Sequence, residues 1–156
     1  MSGSNKDVQE LEHISEQLQQ LDAQRQSLRS EIERLRVARQ EITEAINALE
    51  TLETGSHVQV PIGGGAYVRA SVEDIDEVIV RLGSDFAAEQ NREAAIESLT
   101  TRRELLGERS ERIRELIEQI QSDISTLEGN AHQLQSRLQQ QLQQQMQGQL
   151  RGSEGN

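Results

Sequence analysis

The sequence contains no cysteine and no tryptophan, and only one tyrosine, one phenylalanine and one lysine. Without cysteine there is no disulfide framework, no thiolate nucleophile and no Cys-based zinc site. With aromatic residues at 1% and an apolar fraction of 33%, 156 residues cannot fill a conventional globular core. The dominant residues are Arg, Glu, Leu, Gln and Ile, a composition suited to long amphipathic helices that bury a narrow seam. The expected architecture is extended.

Positive charge is also scarce: the formal net charge is −11, and Lys6 is the one lysine among 16 Lys and Arg residues. Phosphate binding needs clustered Lys and Arg, and none stand out, so nucleic acid is not an expected partner. An acidic excess with almost no Lys resembles proteins of organisms that keep molar salt in the cytoplasm, where carboxylates hold hydration and their repulsion is screened. A high-GC genome with an acidic surface gives the same composition. No stretch approaches the roughly 20 apolar residues of a membrane span, and no signal-peptide core is read at the N-terminus. The expectation is a soluble, cytoplasmic protein with no membrane partner.

The stretch around which the chain is organised runs from Val58 to Ala70. Its apolar residues fall at every second position, Val58, Val60 and Ile62 before the glycines and Val68, Ala70 and Val72 after them, which is the period of a strand. Gly63, Gly64 and Gly65 supply the positive-φ positions that a tight hairpin needs. A second β region is expected from Glu77, with Val78, Val80 and Leu82 on one face, a turn at Gly83-Ser84-Asp85, and Phe86 and Ala88 resuming the same parity. Each hairpin has open edges and one apolar face, and a free hairpin is marginal in water. Val58, Val60, Ile62, Val68, Val78, Val80, Leu82 and Phe86 are therefore expected to form an interface with strands of other chains.

On either side the apolar residues step alternately by three and four. The first run is Leu11, Ile14, Leu18, Leu21, Arg25, Leu28, Ile32, Leu35, Arg39, Ile42, Ile46 and Leu49. The second runs from Ile96 through Leu99, Arg103, Leu106, Ser110, Ile113, Ile117, Ile120, Ile124, Leu127, Ala131 and Leu134 to Leu138. Sustained heptads of this kind predict a coiled coil, and two of them joined by a short β element should fold back antiparallel. Placing Leu49 level with Ile96 puts Leu11 level with Leu134. Arg25 and Arg39 at seam positions either limit the tolerated registers or snorkel out on long stems. Gly55 is expected to cap the first helix. Beyond Leu134, Leu138, Leu142, Met146 and Leu150 are spaced by four in a Gln background, a stripe that drifts off a heptad seam and is expected to lack an intrachain partner.

The expected boundaries form one domain over residues 1–156. A helix is expected over 8–53 after a disordered 1–7, a β region over 57–88, a helix over 89–146 and a disordered tail over 147–156. The triple glycine lacks the following Lys-Ser/Thr and helix N-terminus of a phosphate loop. His13, His57 and His132 are too scattered for a metal-ligand set. No carboxylate sits in a recognisable cleft, so no enzymatic activity, cofactor or metal is expected.

Three segments, Val58–Val68, Val78–Gln90 and Ala95–Leu99, together resemble the α class of the prefoldin family, with the similarity extending over roughly residues 8 to 145. The resemblance implies a mainly α, α+β fold: a long antiparallel coiled-coil hairpin with two β-hairpins at the hinge, joining an oligomeric β-barrel platform. It further implies an ATP-independent holdase chaperone, in which two such chains and four prefoldin beta subunits form an α2β4 heterohexamer. Unfolded client proteins are bound at the coiled-coil tips and passed to a group II chaperonin (thermosome). By position and chemistry, Val8, Leu11, Ile14, Leu138, Leu142 and Met146 are the expected client-contact residues. A structural scaffold or tether that binds one native partner is the alternative function.

Overall fold

The computed structural model describes residues 2–154, in the order α1 (Ser2–Thr51), β1 (His57–Gly63), β2 (Ala66–Ser71), β3 (Val78–Arg81), β4 (Ala87–Gln90) and α2 (Arg92–Glu154). The chain divides into two compact units, one of Met1–Ile32 with Arg112–Asn156 and one of Glu33–Glu111.

In the first unit, α1 and α2 pair antiparallel. Ile14, Ile113, Ile124 and Leu134 are buried, and the other heptad positions, from Leu11 to Ile32 and from Ile117 to Leu138, are half-buried. Asp7 is buried and pairs with Arg137 at 3.6 Å. Gly3 and Ser4 line a groove with Gln141, Gln144 and Gln145. Asp7 and Arg137 have numbers that add to 144, within one of the 145 that levels Leu11 with Leu134. The helices are longer than expected: α1 starts at Ser2 and α2 continues to Glu154, where residues 1–7 and 147–156 were expected to be disordered. The physical reason is that Gln, although polar, is a good helix former, and each interior Gly costs only about 1 kcal/mol relative to Ala. Met1, Gly155 and Asn156 of those segments lie outside the described residues.

In the second unit the seam continues through Leu35, Ile42 and Ile46, all buried. Arg103 donates from Nη1 to Thr43 Oγ1 at 3.2 Å, and Arg39 lies against Gly107. Both pairs add to 146, so the heptad spacing carries the register here as well. Arg39 is exposed, which is the snorkelling arrangement. On the outer surface of α1, the Arg36 guanidinium hydrogen-bonds the Glu33 carboxylate at 2.7 Å and holds its pKa below the ordinary value.

The first hairpin pairs Val58 with Ala70 and Val60 with Val68, so the apolar residues share one face as the alternation required. Gly63 pairs with Ala66, leaving Gly64 and Gly65 as a two-residue connection, and the register shifts between Pro61 and Gly63. All three glycines have positive φ, +108°, +59° and +80°. Gly64 and Gly65 in sequence at positive φ match the type I′ connection, whose twist suits a hairpin. Gly55, also at positive φ, does not cap α1. It lies four residues beyond Thr51, in a turn closed by Ser56 N–H donating to Glu53 C=O, and its amide donates to Val72 C=O at 2.7 Å. The turn extends the hairpin instead of ending the helix.

The second hairpin pairs Val80 with Ala88 and Val78 with Gln90. Its loop closes with Leu82 N–H donating to Phe86 C=O around Gly83-Ser84-Asp85. Strand β4 reaches Gln90, and α2 begins at Arg92 instead of residue 89. Asn91 caps it: its Oδ1 accepts from Ala94 N–H at 2.8 Å.

Candidate functional site: exposed apolar surfaces

Two kinds of apolar surface are open to contact, and each follows from where a periodic pattern stops matching its support. The first lies at the end of the first unit. A heptad seam advances by 3.5 residues, so side chains spaced by four rotate away from it by about 50° per step on a 3.6-residue helix. Leu138 is half-buried, and the next half-buried position is Gln141. Leu142, Met146 and Leu150 leave the seam and are 59%, 63% and 64% exposed. On α1, Val8 is 44% exposed.

Three expected client-contact residues are placed differently. Ile14 is buried at 5% exposure, and Leu11 and Leu138 are half-buried. All three are seam residues: Leu11 and Ile14 lie where α1 and α2 bury their shared seam, and Leu138 lies beside Arg137, which α1 reaches through Asp7 because it starts at Ser2. The expectation that α2 lacks a partner beyond Leu134 is corrected for the same reason, since Arg137 pairs with Asp7. Leu150, which belongs to the same stripe, joins Leu142 and Met146 as an exposed residue.

The second surface lies on the hairpins of the second unit. Ile62, Tyr67 and Val68 of the first hairpin and Ile79, Leu82 and Phe86 of the second are about half to three-quarters exposed. Val60 is 43% exposed and Val58 is half-buried. For β3 the expected interface face is corrected. Val80 is buried at 5% exposure and Val78 is half-buried, while Ile79 between them is 72% exposed. The reason is that the second hairpin lies on the first turns of α2. Ser98 Oγ donates to Gln90 Oε1 at 3.1 Å, the Arg102 guanidinium donates to Arg81 C=O, and Ala95 is fully buried. The Val78–Val80 face thus packs within the chain, and Ile79 faces outward. Asn91, a recognised cap residue ahead of a helical run, was a readable signal for the start of α2. The Arg102 contact had none, because a backbone carbonyl has no signature in sequence.

Among the described residues no group of three or more His, Cys, Asp or Glu could hold a metal ion, and no helix is long and apolar enough to cross a membrane. What the geometry offers is contact surface: an apolar stripe on a Gln-rich helix and two hairpins with apolar residues outward.

Comparison with known proteins agrees with this arrangement. The sequence matches the prefoldin subunit family over residues 14–144. It is 56% identical over 75 residues to prefoldin subunit alpha of Halorubrum lacusprofundi, covering 48% of this chain and 49% of that protein. It is 40% identical over 97 residues to the subunit alpha of Haloarcula marismortui, covering 62% and 63%. Against the subunit alpha of Methanosarcina acetivorans it is 31% identical over 133 residues, 81% of this chain and 94% of that one. The match thus spans about half to two-thirds of the length of these haloarchaeal relatives. Among solved structures, a chain of the filamentous PFD from Methanocaldococcus jannaschii superposes with a TM-score of 0.65 at 28% identity, covering 73% of this chain and 97% of that chain. With a match that takes in both hairpins and most of each helix, the chain belongs to the prefoldin family, as a relative of its archaeal alpha subunits.

Proposed function

We propose that the chain is a subunit of an ATP-independent holdase in the cytoplasm, assembling through its hairpins with beta-type subunits in an α2β4 heterohexamer. Leu142, Met146 and Leu150, with Val8, take unfolded clients, which pass to a group II chaperonin. The observation that carries the reading is the exposed Leu142–Met146–Leu150 stripe in a member of the prefoldin family. Monomeric proteins rarely leave contiguous apolar surface open unless it binds something. Leu and Met on unbranched or mobile stems adapt to many client shapes, and several such subunits in one assembly compensate for weak single contacts by avidity. Such binding and release consume no nucleotide. The outward Ile62, Val68, Ile79 and Phe86 support assembly, because a two-stranded hairpin gains stability when further strands cover its apolar face and its edge.

The test is to dilute a chemically denatured protein into the assembled complex in high salt and follow light scattering. A stoichiometric complex is expected to suppress aggregation; unchanged scattering would overturn the reading.

A further inference from the structure

The first unit carries a chemically distinct atom that client binding alone does not require. Met146 holds the sole sulfur among the described residues, and the whole chain has no cysteine. The residue is 63% exposed, and apart from Leu142 and Leu150 its neighbours along the helix are Gln143, Gln144, Gln145, Gln147, Gly148 and Gln149, which do not react with mild oxidants. At 1.5 Å per residue the stripe is roughly 12 Å long, with Met146 in the middle, about 6 Å from each leucine position.

We infer that Met146 is a peroxide-sensitive modification site that weakens client capture when oxidised; the inference rests on the holdase reading above. In the step, the Met146 thioether attacks one oxygen of a peroxide. The O–O bond breaks, an S–O bond forms, the sulfur loses an electron pair, and the peroxide is reduced to water or an alcohol. The product is a polar, chiral sulfoxide in place of a flexible apolar group. Because it forms between two leucines, it divides one continuous apolar patch into two isolated side chains. A dithiol-dependent sulfoxide reductase reverses the step: the sulfoxide oxygen leaves as water and the dithiol becomes a disulfide. With no cysteine in the chain, this chemistry has one position among the described residues, Met146, and the change there is reversible.

The test uses the assembled complex of the full chain, beside complexes carrying Met146→Leu and Met146→Gln, each compared before and after dilute hydrogen peroxide. Other sulfur atoms in the assembly are the same in all three, so differences between them report Met146. Mass spectrometry reads the sulfoxide, sedimentation reads the assembly, and light scattering reads capture. Unsubstituted complex is expected to gain one oxygen at Met146, keep its sedimentation and capture clients roughly fivefold more weakly, the central residue of the stripe having lost its apolar contact. Sulfoxide reductase with dithiothreitol should restore it. The Met146→Leu complex should show no peroxide response relative to its own untreated state, and Met146→Gln should start weak and stay weak. The inference is overturned if Met146 stays unoxidised at a peroxide dose that converts free methionine. It is equally overturned if fully oxidised complex captures clients as well as before. An untreated complex that suppresses no aggregation overturns the holdase reading itself and this one with it, whereas capture without a peroxide response overturns this one alone.

Discussion

The Arg39 guanidinium lies over Gly107: a Cβ added at Gly107 would stand 3.3 Å from Arg39 Cζ and Nη2. An arginine at a heptad seam position is tolerated here because the facing position carries no side chain and the charged end reaches solvent. The contact is with the far end of a flexible, exposed side chain, so it can yield by a few tenths of an ångström. Replacing an interior helical Gly by Ala recovers about 0.5–1 kcal/mol of backbone entropy. Gly107→Ala is therefore expected to raise the thermal midpoint followed by helical circular dichroism. A lowered midpoint would show that Arg39 is held in place.

The connection of the first hairpin depends on its glycines. Gly64 and Gly65 stand at φ +59° and +80°, where a Cβ is strained although nothing else crowds it. Gly65→Ala is expected to cost roughly 1–2 kcal/mol, while Gly64→Asn, a residue that accepts the left-handed region, should cost less than half of that. Denaturant titration of the two variants checks the order.

The adjacent residues Ile79 and Val80 separate folding from assembly. Val80→Asp buries an unpaired carboxylate and is expected to destabilise the chain by roughly 3–5 kcal/mol. Ile79→Asp places its charge outward, so the chain should keep its helical signal and lose its partner subunits in sedimentation. Equal loss of fold in both variants would refute the two-sided description of β3.

The heptads were legible because the spacing of Ile14, Ile42, Ile113 and Leu134 is itself the physical cause of their burial, and no competing period intervenes. The contacts Asp7–Arg137 and Thr43–Arg103 fall within one residue of the expected level. The hairpin turn was legible because three successive glycines have few other uses. The helix ends were not, since residues 2–7 and the Gln-rich 147–154 continue no heptad seam and hold several glycines, yet glutamine sustains a helix. The inward face of β3 was not legible either: Val78, Ile79 and Val80 are apolar on both faces, and alternation cannot say which side meets α2. The candidate site was half legible. The four-residue spacing separated Leu142 and Met146 from the seam, but Leu11 and Ile14 were set among exposed residues for their place near the helix ends, although their heptad positions put them in the seam.

The charge balance makes a separate prediction. With a formal net charge of −11 and one Lys, like charges along two paired helices repel, and salt screens them over about 3 Å at 1 M and about 10 Å at 0.1 M. Helical signal and seam pairing are expected to weaken as salt is lowered through the molar range, with sulfate restoring more structure than chloride. A helical signal independent of salt from 0.1 to 3 M, read by circular dichroism at constant pH, would contradict the reading of an acidic surface adapted to salt.

On the proposed function, the apolar stripe that leaves the coiled-coil seam captures non-native chains. Its most direct measurement compares aggregation suppression by the assembled complex with that of a complex in which Leu142, Met146 and Leu150 are all replaced by Gln. Glutamine keeps the helix and removes the apolar contact. The substituted complex is expected to sediment unchanged and to lose most of its suppression of light scattering from a diluted, denatured protein. Suppression equal to that of the unsubstituted complex would contradict capture by the stripe.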